Sequence, residues 1–314
     1  MASIELTSSG KSIIFVHGRG WKPAPQALTD LWVGALRAGL ARDFSESDVA
    51  AKLDATKLVT AYYGDLTNAS RSAAGKTYDD ALDLADLNNA LKSMTVLTNA
   101  KKFRRAGYEA LPSRSSIREF LADMGAPVLS LLGLTELALA RRMPEVSAYW
   151  DQHGAYYRDS KERVIAPLRA ALERGDEVML ISHCLGSVIT YDCLWELCHD
   201  SNPIPGKIDT WITLGSPLAD EFFKRKLAGA SQSGDNRYPH NLVNWYNVAA
   251  EDDFTCHDET VANDFAEMLK NHLISRIKDY QIYNLAVRYG RSNPHTSVGY
   301  LIHPRVAKLV AEWL

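Results

Sequence analysis

The run Val178-Met179-Leu180-Ile181-Ser182-His183-Cys184-Leu185-Gly186-Ser187 decides how this chain reads. Its first four residues are continuously apolar, the pattern of a strand buried on both faces of a parallel sheet. A tight turn follows, with Cys184 at its apex, and Ser187 to His199 then carries a helical pattern. A turn this sharp needs small residues two positions before and two after the apex, and Ser182 and Gly186 meet that need. The result is the sequence of a nucleophile elbow, G-x-S-x-G in its usual form, with a cysteine where serine is usual.

Working outward, further strands alternate with helical segments. Ser12 to Val16 is a short β-branched and aromatic run that stops at His17-Gly18-Arg19-Gly20. Gln26 to about Ala41 has Leu28, Leu31, Trp32, Ala35, Leu36 and Leu40 at helical spacing. Lys57 to Tyr63 reads as a second strand, closed by Gly64-Asp65. Beyond the elbow, Ile208 to Leu214 and Leu242 to Val248 read as strands, Gln281 to Val287 as a weaker one, and Pro304 to Leu314 as a closing helix. Glu145 to Arg174 is helical in pattern, with Gly154 and Pro167 as points of division. Ala228 to Tyr238, rich in Gly, Ser and Asn, reads as a surface loop. This alternation implies βαβ units and a mostly parallel, doubly wound α/β sheet, with a ligand site outside the carboxyl ends of its strands.

Residues 65–144 break the pattern. Moderate helical periodicity alternates with loops there and no strand stands out, so a mainly helical cap or lid insertion is expected, with 1–64 and 145–314 forming the core. The apolar stretch Met124 to Ala140 is too short and too interrupted for a membrane span, and stable membrane insertion is not expected. Lys101, Lys102, Arg104, Arg105, Arg114 and Arg118 make the insertion locally basic. They read as a solvated face or as a handle for an anionic group on the substrate.

Composition points to an ordinary globular enzyme: 46% hydrophobic and 23% charged residues over 314 positions. A formal net charge of -3 gives no reason to expect nucleic acid as the partner. Residues Met1 to Lys11 lack the basic head and apolar stretch of a signal peptide, and the four cysteines show no metal-like spacing. A cytoplasmic, reducing location with free thiols is therefore expected. Neither a metal nor an organic cofactor is called for, and the oligomeric state is open.

Three groups with complementary chemistry follow predicted strand ends in the order Cys184, Asp252 or Asp253, and His295. A nucleophile needs a base within reach, the base needs a carboxylate to orient it, and a developing oxyanion needs backbone donors. Among the nine histidines, His295 sits in a Pro-His turn before the last helix. His183 would point away from the apex, His17 shapes the loop after the first strand, His257 reads as a surface or capping residue and His303 lies too close to the final helix. Asp252 and Asp253, at the end of the strand from Leu242, are the two candidates for the acid. Ser216, in Leu214-Gly215-Ser216-Pro217, lacks the small flanking residues of an elbow and reads as a loop-shaping hydroxyl.

Ile13-Ile14-Phe15-Val16-His17-Gly18, the elbow from Ile181 to Ser187, and the tail from Asn293-Pro294-His295 to Tyr300 together resemble the α/β-hydrolase superfamily of esterases, lipases and thioesterases. That family carries nucleophile, acid and histidine in this chain order. The resemblance implies a hydrolase of carboxylic esters or thioesters, acting on a small acyl substrate through an acyl-enzyme at Cys184. His295 would be the base, Asp253 (or Asp252) its orienter, the amides of Arg19 and Leu185 the oxyanion hole, and Gly18 and Trp21 part of the pocket wall. The departure from the family is the apex itself. Cysteine there is similar to dienelactone hydrolases, polyester synthases and some intracellular depolymerases. Two questions stay open at this level: whether the thiol is the working nucleophile or stands in for a serine, and whether the acyl group goes to water or to another acceptor. A non-catalytic binding protein on the same fold is the alternative outside enzymes.

Overall fold

Apolar runs that alternate with amphipathic segments leave the backbone one economical solution, strands side by side with helices packed over them. The computed structural model describes residues 10–112, 141, 143–199, 206–253, 255 and 260–314. The expectations for Met124 to Ala140, Arg114, Arg118, Cys256 and His257 fall outside these residues.

Six strands, β1 (Lys11–Val16), β2 (Lys57–Ala61), β3 (Glu177–His183), β4 (Ile208–Leu214), β5 (Leu242–Ala250) and β6 (Arg276–Ile282), form one sheet in the order β2-β1-β3-β4-β5-β6. All five pairings are parallel. A small antiparallel hairpin, β7 (Val287–Arg288) and β8 (Arg291–Ser292), stands apart. The helices in chain order are α1 (Pro25–Asp43), α2 (Val49–Ala55), α3 (Gly64–Ala73), α4 (Asp80–Thr95), α5 (Arg105–Glu109), α6 (Pro144–Trp150), α7 (Ala155–Glu173), α8 (Leu185–His199), α9 (Glu221–Lys224), α10 (Val261–Asp264), α11 (Ala266–Lys270), α12 (Ser297–Leu301) and α13 (Pro304–Trp313).

Alternate strand residues feed two separate cores. Ile14, Val16, Val178 and Leu180 face a layer that includes Val164 of α7 and Val188 of α8. Ile13, Phe15, Met179 and Ile181 face another, with Leu28 of α1, Leu87 of α4 and Val306 of α13. The sheet is thus covered on both sides, which is why its central strands read as unbroken apolar runs. Leu87, Ala90, Met94, Phe103 and Tyr108, from the segment 65–144, belong to the second of these layers. No helix among the described residues is long and apolar enough to cross a membrane.

Three expectations need correction. The second strand ends at Ala61, and Gly64-Asp65 opens α3 instead of closing the strand. The last strand of the six-stranded sheet is Arg276–Ile282, earlier than Gln281 to Val287. It is an edge strand with Arg276, Lys278 and Asp279 among its residues, and such charged edges suppress the apolar pattern that betrays a strand. Pro167 lies inside α7 without dividing it, because Val164, Leu168, Ala171 and Leu172 bury one face on both sides of the proline. Gly154, by contrast, does separate α6 from α7.

Strand order reverses between β1 and β3, whose registers pair Val16 with Ser182. The crevice at such a switch point is where ligands bind in open α/β sheets. Here it lies between the loop after β1 and the turn after β3. Gly186, at the start of α8, is what lets these two approach: a Cβ built on it would lie 2.3 Å from the His17 carbonyl oxygen and 2.7 Å from that of Val16. Both obstacles are backbone and cannot swing aside. Gly186→Ala should therefore cost about 1–3 kcal/mol, the usual range for overpacking, read as a lower denaturation midpoint with an unchanged slope.

Candidate active site

Cys184 sits between the last residue of β3 and the first of α8, with φ 54°. A residue with a Cβ adopts this left-handed conformation at a cost, so the surroundings must hold it. They do so with the Cys184 amide, which donates to the Leu214 carbonyl (3.0 Å), and with Ser187, whose amide and hydroxyl both donate to the Cys184 carbonyl. Ser187 also bonds the Ser216 hydroxyl (2.7 Å), which in turn accepts from the Leu218 amide (3.2 Å). Ser216 is thus engaged in shaping the loops behind the elbow. Ser182 earns its small size by accepting from the Trp211 indole (2.8 Å) within the core.

His295 reaches the same place from a loop after β6. Asn284 fixes that loop by donating to the carbonyls of Pro294 (2.7 Å) and Thr296 (3.0 Å) and accepting from the Ala286 amide (3.0 Å). The hairpin β7–β8 turns through Tyr289 and Gly290, both at positive φ, as a two-residue turn of this hand requires. Its Arg288 pairs with Asp83 and Asp86 of α4, while the Tyr289 amide donates to Asp86 (2.9 Å). Sequence reasoning missed Asn284, Arg288 and the two aspartates, because nothing local marks them.

The sequence-expected residues divide cleanly. His295 Nδ1 lies 2.9 and 3.0 Å from the two carboxylate oxygens of Asp253. Asp253 also accepts from the Tyr300 hydroxyl (2.6 Å) and the Thr255 amide (3.0 Å). Asp252 is turned elsewhere: at φ 58° it accepts from Tyr108 (2.8 Å) across the loop from α5. Of the two aspartates, Asp253 is the one joined to His295. His183 Nε2 bonds the His295 carbonyl (2.8 Å) and its ring packs 4.6 Å from the His295 ring, so it supports that residue's backbone. His303 accepts from the Arg305 amide as the cap of α13. His17 accepts from the Tyr63 amide at Nε2 (3.0 Å), which leaves Nδ1–H to donate to the Gly18 carbonyl (3.0 Å). Burial and the nearby Lys22 ammonium hold His17 neutral.

Cys184 and His295 shift each other. Burial opposes ionisation of the thiol, yet the His295 imidazole, Arg19 and the Leu185 amide together outweigh it and bring the thiol below its ordinary range. For His295 burial again opposes charge, and Asp253 and the Cys184 thiolate overcome it, raising the ring to about 10. Burial likewise works against the Asp253 carboxylate, but His295 and Tyr300 bring it down to about 2. With Nδ1 bonded to Asp253, the buried Nε2 is the ring nitrogen left for the thiol, and the two groups favour each other's charge.

The loop Gly18–Pro23 forms the other wall. Gly18 presses on the apex, a Cβ there meeting that of Cys184 at 2.6 Å. Beside it opens a cleft of about 210 Å³ whose walls include Gly18, Arg19, Trp21, Lys22, Leu31, Trp32, Leu87 and His295. Trp21 stacks on Tyr78 with centroids 4.7 Å apart. Gly18 and Trp21 line this cleft together with Lys22, a residue that no local pattern in the sequence marks. Among the described residues no group of three or more His, Cys, Asp or Glu could hold a metal ion. A scan against protein-family models finds no match, and a search of curated proteins finds no relative.

Two outcomes follow from this electrostatics. The thiol is held down mainly by the His295 imidazolium against burial, so loss of the imidazolium leaves burial as its main influence. Alkylation of Cys184 by iodoacetamide should therefore titrate below the ordinary thiol range in the native protein, and His295→Ala should move that midpoint up. Gly215 has φ 52°, and a Cβ there would stand 2.8 Å from Asp253 Oδ2 and 3.2 Å from His295 Nδ1. Gly215→Ala should move the same midpoint in the same direction, with a lower melting temperature.

Proposed function

We propose that this chain is an α/β-hydrolase-type enzyme that cleaves carboxylic esters or thioesters through a thioester intermediate on Cys184. The observation that carries this is the meeting of Cys184, His295 and Asp253, from three separate strand ends, with His295 Nδ1 bonded to Asp253 and Nε2 turned to the thiol. Shifted ionisations of this kind cluster at catalytic sites because a nucleophile and a base must be tuned to their task.

The thiolate attacks the substrate carbonyl, forming a C–S bond and an oxyanion, which the amides of Leu185 and Arg19 receive. Collapse of that intermediate breaks the bond to the alcohol or thiol, and His295 gives the leaving group its proton from Nε2. Water then attacks the thioester while His295 takes its proton, and collapse returns the thiolate and releases the carboxylic acid. Asp253 holds the ring in one tautomer and offsets its charge throughout. The cleft beside the apex receives the substrate, and Trp21, Leu31, Trp32 and Leu87 give it an apolar wall. Helix α4, from the segment expected to form a cap, contributes Leu87 and Asp83 to that wall.

Intact-protein mass spectrometry after mixing with an activated short-chain acyl ester tests this. An acyl adduct on Cys184, decaying with release of free acid, is expected; its absence, or retention of turnover in Cys184→Ala, overturns the proposal. Asp253→Asn should lower turnover by about 10³–10⁴-fold, as removal of an orienting carboxylate does elsewhere, and Asp252→Asn should leave it within a small factor. Free acid released at full rate without an added acceptor distinguishes hydrolysis from acyl transfer.

A further inference from the structure

Glu145, a carboxylate that the proposed chemistry does not use, has a fully covered side chain at the start of α6. Its Oε1 accepts from the Gly20 amide (3.1 Å) and from Arg71 Nη1 (3.0 Å), and Arg19 Nη1 lies 3.8 Å away. Its Oε2 is buried without a hydrogen-bond partner. Burial opposes its charge, but Arg19 and Arg71 keep it ionised, with its pKa below the ordinary carboxylate value. An ion buried at this expense is poor material for stability alone, since apolar replacements often serve as well.

What it touches is the loop after β1. Gly20 has φ 87°, and its amide is turned to Glu145. On the same loop the Lys22 ammonium gathers the carbonyls of Arg19 (2.7 Å), Gly20 (3.1 Å) and Trp21 (3.1 Å). Asn68 of α3 clamps the Lys22 backbone, accepting its amide at 2.9 Å and donating to its carbonyl at 2.8 Å. Arg71 reaches from the same helix to Glu145 while lying 5.1 Å from the Trp21 ring centroid. An anion therefore takes an amide of the loop and a cation takes three of its carbonyls. The two charges thus grip opposite edges of one peptide plane, Arg19–Gly20, directly after the Arg19 amide, and Lys22 extends the hold over the next two carbonyls.

We infer that Glu145 is a positioning residue: through Gly20 and Arg19 it holds the loop in the shape that presents the Arg19 amide to the developing oxyanion. This rests on the hydrolase proposal above. Glu145 is not among the residues lining the cleft, so its effect passes through the loop and not through contact with substrate. Misplacement of a donor by a fraction of an ångström is felt in the transition state far more than in substrate binding.

The test separates acylation from thiol activation. Glu145→Gln keeps an acceptor for the Gly20 amide but loses the charge facing Arg19 and Arg71, and Glu145→Ala loses both. Turnover of an activated acyl ester should fall by about 10–100-fold in Glu145→Ala, within the cost of losing an oxyanion donor, and by less in Glu145→Gln. KM should change little. Iodoacetamide alkylation of Cys184, which needs the thiolate but no oxyanion hole, should keep its rate and pH midpoint. If the Glu145 variants do not fold, Asn68→Ala releases the same loop without stranding a buried charge and should show the same split on a smaller scale. Unchanged turnover, or turnover and alkylation falling together, overturns the positioning role. Wild-type protein run alongside keeps the two ideas distinct: no acyl adduct on Cys184 in the wild type defeats the hydrolase proposal itself, whereas equal acylation of wild type and variants defeats only the role of Glu145.

Discussion

The left-handed backbone at Cys184 is the constraint around which the rest is arranged. Conformations of this kind cost on the order of 1–3 kcal/mol for a residue with a side chain and persist only where the neighbouring structure over-determines them. Here the over-determination comes from both sides of β3. Register with β1 brings Gly18 against the apex, and the bond from the Cys184 amide to Leu214 ties it to β4. Small residues at Ser182, Gly186 and Gly18 are the concessions that make the turn possible. Each marks a place where a larger side chain would meet backbone or the core. The strain is local, and the parallel sheet bears it.

Charge is handled in a similarly local way. Almost every ionised group near the crevice is buried with its compensation: Asp253 with His295, Glu145 with Arg19 and Arg71, Arg288 with Asp83 and Asp86. Within low-dielectric surroundings a charge lacking such a partner would neutralise by shifting its pKa. The Cys184 thiol and His295 imidazole follow the same logic, each favouring the charged form of the other. Overall net charge, being close to neutral, says nothing of this, because what matters is which charges share a buried volume.

How far the sequence could be read follows from what each feature depends on. The elbow, the central strands and the histidine turn are written in contiguous residues, so apolar runs and small-residue spacing reveal them. Helix α1 was legible from its spacing for the same reason. The edge strand β6 was displaced in the sequence reading because one side of it meets solvent and its residues are accordingly charged. Asp252 and Asp253 could not be separated by pattern. Their difference is a single turn of backbone that sends one side chain to His295 and the other to Tyr108. Glu145, Asn68, Asn284 and Arg288 were invisible because their partners lie far away in the chain, and a lone buried carboxylate or amide has no local signature.

The hairpin that carries Arg288 also has a bearing on how the molecule comes together. It binds α4, in the first third of the chain, and leads directly into the turn holding His295, near the end. Contacts of such long sequence separation form only after the intervening chain has collapsed, since loop closure must precede any gain from them. Until that happens no imidazole stands beside Cys184, and the main influence that lowers its thiol is missing. The acidity of the Cys184 thiol is therefore a property of the assembled chain ends, and a fragment ending before the hairpin would keep the sulfur without the ring that acidifies it.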